Sequence, residues 1–146
     1  MNQEIKVDKK QIVFGLDSVI IQKWISDIKG GRALDVAGID GDVLYAGRVI
    51  ITDGKGVYKP LKIEGGNYVA LSTESGFKYA GVLYRSISKG DGAAIMTAGQ
   101  VNTIAAKSVN GADFPTDFAE AMPNIQFVAD EDANKFDQTD STVDKD

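Results

Sequence analysis

The sequence predicts a mainly β protein: a small glycine-rich barrel or sandwich with one or two short helices, an N-terminal arm and an acidic C-terminal tail. Three observations carry this. Short runs rich in Val, Ile, Tyr and Thr follow one another from Val43 onward. They are separated by DGKG, EGGN, TESG and KGDG, whose glycines and small polar residues are turn chemistry. Closely spaced short strands joined by such turns belong to barrels and sandwiches.

Residues 1–14 are a polar, lysine-rich lead that ends in Ile12-Val13-Phe14 and reads as an extended arm. Residues 15–129 read as one β-rich domain, and 130–146 as the tail. The stretch 16–28, LDSVIIQKWISDI, is open to two readings. Leu16, Ile20, Trp24 and Ile28 recur every four residues, with Asp17 and Ser18 as caps and Gly30-Gly31 as a stop. Val19-Ile20-Ile21 is β-branched and suits a strand equally. The four-residue recurrence tips the expectation to helix.

The strand runs that follow are GRVIIT (47–52), GVYKPLKI (56–63), YVAL (68–71), YAGVLYRSI (79–87), AAIMTAG (93–99) and QVNTIAA (100–106). Pro60 lacks a ladder donor, which places its run at an edge or a bulge. Pro115 to Ala121 reads as one or two helical turns, and NIQFV (124–128) as a last strand. An Ala-Gly step recurs at Gly47, Gly81 and Gly99, where a glycine marks a bulge, a bend or a close backbone approach. Gly90 and Gly92 serve the KGDG turn.

Composition excludes several function classes. The chain has no cysteine and no histidine. Disulfides, thiolate metal sites and imidazole-activated nucleophiles are therefore out of reach. Of its net charge of −5, the tail supplies the whole, with seven acids and two lysines, and residues 1–129 balance fourteen of each sign. A neutral body with an acidic tail lacks the cationic footprint of a nucleic-acid binder. No long apolar run or signal-like start is present, so a soluble chain is expected.

The motifs that remain fail on spacing. Around Gly54-Lys55 a phosphate loop would need glycine where Val49 stands and Ser or Thr where Gly56 stands. Gly90-x-Gly92 is followed by Ile95, not by the third glycine of a dinucleotide fingerprint. Asp130-x-Asp132-x-Asn134 opens like a calcium loop, but Lys135 and Ser141 occupy its glycine and glutamate positions. Glu64, Glu74 and Asp91 lie in turn-like stretches, where solvated charge is the default. The expectation is no enzyme, no cofactor and no metal. Trp24 and the tyrosines at 45, 58, 68, 79 and 84 suit cross-strand packing or, at some positions, interface anchors.

The order of GGRALDVAG (30–38), LYAGRVIITDGKGVYKPL (44–61), YAGVLYRSISKGDGAAIMTAGQVN (79–102) and MPNIQFVADED (122–132) resembles small head proteins of tailed bacteriophages. These are capsid decoration or head-fibre-base proteins, particularly of phages of the Bacteroidetes. The middle portion is similar to the β domain of lambdoid head-decoration proteins. The matching steps fall on Gly47 to Ile50, Tyr58 to Pro60, Tyr79 to Leu83 and Ala93 to Asn102.

The resemblance implies a virion structural protein on the outer surface of a phage capsid, made in the host cytoplasm and added to the assembled head. Its partner would be the phage major capsid protein, whose subunits it bridges, and it would form a homo-oligomer, a trimer in the lambdoid relatives. There an N-terminal arm pairs with a capsid loop by strand addition, which makes Ile12, Val13 and Phe14 the matching strand here. Trp24, Tyr45, Tyr58 and Tyr84 are the further interface candidates. The acidic tail is expected to meet a basic partner surface, so added salt should weaken association. A competing reading is an exposed head-fibre or adhesin-like module that binds host-surface glycans; an aromatic cleft facing solvent would favour it. A third, a carboxylate-based hydrolase, needs two acids converging in one pocket.

Overall fold

The computed structural model describes residues 17–129; the arm with Ile12, Val13 and Phe14, and the acidic tail, lie outside the described residues. In chain order the elements are α1 (Asp17–Ile20), β1 (Ile21–Asp27), β2 (Arg32–Ala33), β3 (Val43–Leu44), β4 (Val49–Thr52), β5 (Tyr58–Pro60), β6 (Ile63–Glu64) and β7 (Asn67–Tyr68). A 3-10 turn (Thr73–Ser75) precedes β8 (Lys78–Leu83), β9 (Ile87–Ser88), β10 (Gly92–Ala93), β11 (Ile95–Asn102), α2 (Thr103–Asn110), α3 (Phe118–Ala121) and β12 (Ile125–Val128). The protein is mainly β, as expected.

The main sheet runs β1-β11-β8-β4-β5, with β12 beside β11. It is open, so the barrel alternative gives way to a sandwich-like arrangement in which three two-stranded ribbons, β2-β10, β3-β9 and β6-β7, accompany the sheet. β11 is its axis. One edge takes all of β1, antiparallel; the other takes β8, antiparallel, near Ile95 and Met96, and then β12, parallel, from Gly99 to Asn102. β5, which carries Pro60, is an edge strand, where a missing N–H costs no ladder bond.

Apolar side chains leave both faces of the sheet. Val49, Ile51, Val82, Met96 and Val101 join Ala105, Ala106 and Phe118 of the helices in one cluster. Ile50, Leu83 and Ile95 join Leu44 and Ala93 of the ribbons in another. That is why VIIT in β4 is a continuous apolar run and is buried at every position: a strand covered on both sides has no solvent face to alternate toward. Each Val, Ile, Leu, Met or Phe side chain so removed from water stabilises the fold by about 1.5–3 kcal/mol.

Three expectations are corrected. Residues 16–28 are mostly strand: after the single turn of α1, IQKWISD pairs with β11. The β-branched run outweighs the four-residue recurrence because β11 offers it a ladder, whereas an isolated turn of helix gains little. IMTAG and QVN are one strand, Ala93 falls in β10 instead, and TIAA belongs to α2. Asn102 ends the strand and caps the helix, its Oδ1 accepting from the N–H groups of Ile104 and Ala105 at 3.2 and 3.4 Å. Gly111, at φ 85°, closes it by donating to the Lys107 carbonyl at 2.7 Å. Finally, the KGDG turn depends on left-handed backbone at Gly90 (φ 94°) alone; Gly92 lies in β10 with open space where a Cβ would stand.

The repeated Ala-Gly steps are places of close approach. A Cβ on Gly81 would overlap the Met96 carbonyl oxygen, and one on Gly99 would overlap the Lys23 carbonyl oxygen and lie 2.7 Å from Met96 Sδ. Both residues hold positive φ, 153° and 155°. A Cβ on Gly47 would lie 2.9 and 3.0 Å from the Ile20 and Ala106 side chains. The register also slips beside Gly81, where Ile50 opposes Gly81 but Ile51 opposes Tyr79, leaving Ala80 as the extra residue of a bulge. Gly81→Ala should therefore cost at least about 3 kcal/mol, combining overlap with backbone strain. Gly54→Ala, at φ 75° with nothing near, should cost about 1–2 kcal/mol from backbone alone. Urea unfolding of the two variants checks this; equal losses would contradict the close-approach account.

Candidate functional site

β1 ends the main sheet, and its outer edge carries no strand among the described residues. It is seven residues long and presents two adjacent large apolar side chains to solvent, Trp24 at 47% and Ile25 at 53% exposure. Irregular pairing puts them there. Trp24 opposes Gly99 and Ser26 opposes Ala98, so Ile25 is the unpaired residue of a bulge. The Trp24 indole lies 6.5 Å from the Tyr84 ring, tilted by 52°, and the Arg85 guanidinium lies 5.3 Å from that ring on its own account. Trp24, Tyr84 and Arg85 form one aromatic and cationic strip, with Ile25 following Trp24 along the strand.

A shallow cavity beside this strip is lined by Asp17, Ile21, Tyr84 and Ser86 among others. Asp17 is its anchor. Its carboxylate accepts from the Ser86 N–H at 2.8 Å and the Ser86 hydroxyl at 2.6 Å, while that hydroxyl accepts from the Ala46 N–H at 2.9 Å. Burial raises the Asp17 pKa, and the Ser86 hydrogen bonds and Arg85 oppose that. This network ties the start of the domain to the turn after β8, which holds Tyr84 against Trp24.

The second surface is a groove of about 520 Å³ between β7, β8 and the segment before α3, with Tyr68, Tyr79, Phe114, Asp113 and Asp117 in its wall. Behind it the rings of Phe114, Phe118, Phe127 and Tyr79 pack together, with Phe118 and Phe127 parallel at 5.9 Å. The Tyr79 hydroxyl donates to Asp117 Oδ1 at 2.5 Å. Burial, that hydrogen bond and the Asp117 charge all push the Tyr79 phenol well above its ordinary pKa.

The remaining residues singled out in the sequence lie apart. Tyr58 packs against the ribbon-side cluster with the Arg32 guanidinium 5.5 Å above its ring. Tyr45 is half-buried in the turn that leads into β4. The structure thus brings Trp24 and Tyr84 together and leaves Tyr45 and Tyr58 in separate packing roles. Ile25, Phe127 and the Tyr79–Asp117 pair escaped sequence reading. Only the β-branched character of 19–21 signals that residue 25 stands on an edge strand. Among the described residues no group of three or more His, Cys, Asp or Glu side chains could hold a metal ion, and no helix is long and apolar enough to cross a membrane.

Comparisons with protein-family models, with curated proteins and with solved structures give no match.

The Tyr79–Asp117 pair sets a pH dependence. Because the folded-state pKa of Tyr79 is raised above its ordinary value of 10.0, the folded protein holds this proton longer than the unfolded chain does. The associated stability is complete below about pH 10 and declines as pH rises beyond it. Tyr79→Phe should lose up to about 1 kcal/mol at neutral pH through the missing hydrogen bond. It should also show a shallower alkaline decline than the parent in denaturant titrations at successive pH values. Parallel declines would contradict the assignment.

Proposed function

We propose that the protein is a virion structural protein that binds the outer surface of a tailed-phage capsid, bridging capsid-protein subunits and stabilising the head. The observation that carries this reading is the open β1 edge with Trp24 and Ile25 exposed side by side. Long edge strands with apolar side chains are templates for added strands and normally carry blunting charges. Here Lys23 is the single charge among the central residues of the strand, beside Trp24 and Ile25. A strand from a capsid loop would complete the backbone pairing, and the Trp24–Tyr84 strip would seat its side chains. The resemblance in order and spacing to phage head proteins supports the same reading.

The physical work is multivalent. One such contact is weak, but an oligomer that touches several capsid subunits at once gains avidity from effective concentration. Any preference for the expanded shell then stabilises that shell by mass action. A second reading, a glycan-binding module on the head surface, is favoured by the groove lined with Tyr68, Tyr79 and Phe114.

Cosedimentation with expanded heads tests the first reading. The double variant Trp24→Thr, Ile25→Thr removes both apolar side chains while keeping strand-favouring residues, and its melting temperature checks that it folds. It should lose head binding by at least about tenfold, as expected for removal of an aromatic anchor worth more than 1.4 kcal/mol. Undiminished binding, or heads no more heat-resistant with the protein than without it, would rule the proposal out.

A further inference from the structure

Between the Gly38-Ile39 loop, Arg48, β6 and α2 lies a small polar cavity of about 140 Å³. Its wall includes Arg48, Lys62, Asp40 and Asn110. Arg48 is largely buried. Its Nε and Nη2 both donate to the Leu61 carbonyl, at 3.1 and 2.8 Å, and its guanidinium lies 5.8 Å from the Tyr68 ring centroid. No carboxylate pairs with Arg48 or Lys62 among the described residues; the ion pair found there is Lys107–Asp113. A desolvated cation with only neutral partners is costly, and an anion in its reach would relieve that cost.

Asn110, which lines the same cavity, carries an unmet acceptor. Asn110 Nδ2 donates to the Ala46 and Ala106 carbonyls at 3.0 and 3.1 Å, which fixes the orientation of the amide. Its Oδ1 is then buried without a hydrogen-bond partner among the described residues. A buried acceptor left unsatisfied costs about 1–3 kcal/mol, so the position calls for a donor. Asp40, exposed in the wall, is a further acceptor. The cavity therefore asks for a carboxylate at Arg48 and Lys62 and for hydroxyl donors at Asn110 and Asp40.

We infer that this cavity binds a hydroxy acid of the uronate kind, the acidic end of a glycan, through Arg48, Lys62, Asn110 and Asp40. Inorganic phosphate fits less well, because the Asp40 carboxylate repels a dianion and the ion offers few protons to two acceptors. Water alone could satisfy Asn110 Oδ1 but leaves the two cations of the wall matched by one carboxylate, Asp40, which forms no ion pair with either. The inference does not rest on the capsid reading, and it supplies a ligand class for the glycan reading.

An NMR titration of the full-length, ¹⁵N-labelled protein with sodium glucuronate tests it, with glucose and inorganic phosphate as comparison ligands. Glucuronate should shift the Arg48 Nε–H, the Asn110 side-chain amide and the Gly38 and Ile39 backbone signals to saturation. Glucose and phosphate should bind at least about tenfold more weakly. Lys62→Met, at an exposed position that leaves the fold intact, should weaken glucuronate binding by about tenfold, the loss of one charge-assisted contact. The inference is overturned by shifts that never saturate, by glucose or phosphate matching glucuronate, or by unchanged affinity in Lys62→Met. None of these outcomes bears on head binding, so the two proposals fail separately.

Discussion

The whole domain depends on how closely backbones are allowed to approach β11 at Met96. On one side Gly81 of β8 sits against the Met96 carbonyl, and on the other Gly99 lets the Lys23 carbonyl of β1 come in over the Met96 side chain. Any side chain at either glycine would force these strands apart. Because β11 pairs with β1, β8 and β12, displacement there would propagate to five of the six strands, with β4 reached through β8. Met96 itself is fully buried and fills the gap between the two approaches. A flexible thioether suits an irregular space of that kind. The register breaks along β1 and beside Gly81, together with the two glycines, thus set the twist and aim of the edge strand that carries the exposed apolar residues.

That constraint links the fold to the proposed activity. β1 deviates from regular pairing at three points along β11, and each deviation rotates the next side chains relative to the sheet. Ile20 and Ile21 are buried under the helices, whereas Trp24 and Ile25, only a few residues on, face solvent. Asp17 and Ser86 fix the start of the strand and the Tyr84 turn together, so the strip is held from both ends. For the docking proposed at this edge, side chains already held by Asp17 and Ser86 would lower the ordering cost of association.

Much of the architecture was legible in the sequence, and the misses have physical causes. Glycine turns and β-branched runs located most strands, and the Ala-Gly steps marked the positions where backbones crowd. Pro60 pointed to an edge. What periodicity could not resolve was competition between local and long-range preference: 16–28 scans as a helix in isolation, and only the availability of β11 makes it a strand. The opposite error occurred at Thr103, where β-favouring residues continue into a helix because Asn102 and Gly111 cap both ends; that Asn-to-Gly frame was readable. The functional surfaces were less legible. Trp24 and Tyr84 are sixty residues apart and meet through sheet pairing, while the Arg48–Lys62–Asn110 cavity joins three elements with no local motif to announce it.

We propose the β1 edge as the place where this protein meets a capsid. Hydrogen–deuterium exchange of the protein, free and bound to expanded tailed-phage heads, tests this directly. Binding should slow exchange most strongly in the amides of 22–26, with a smaller effect around Tyr84 and Arg85 and little change in β4 or β5. Protection concentrated at the opposite edge of the sheet, or β1 amides that exchange as fast on the head as in solution, would contradict the account.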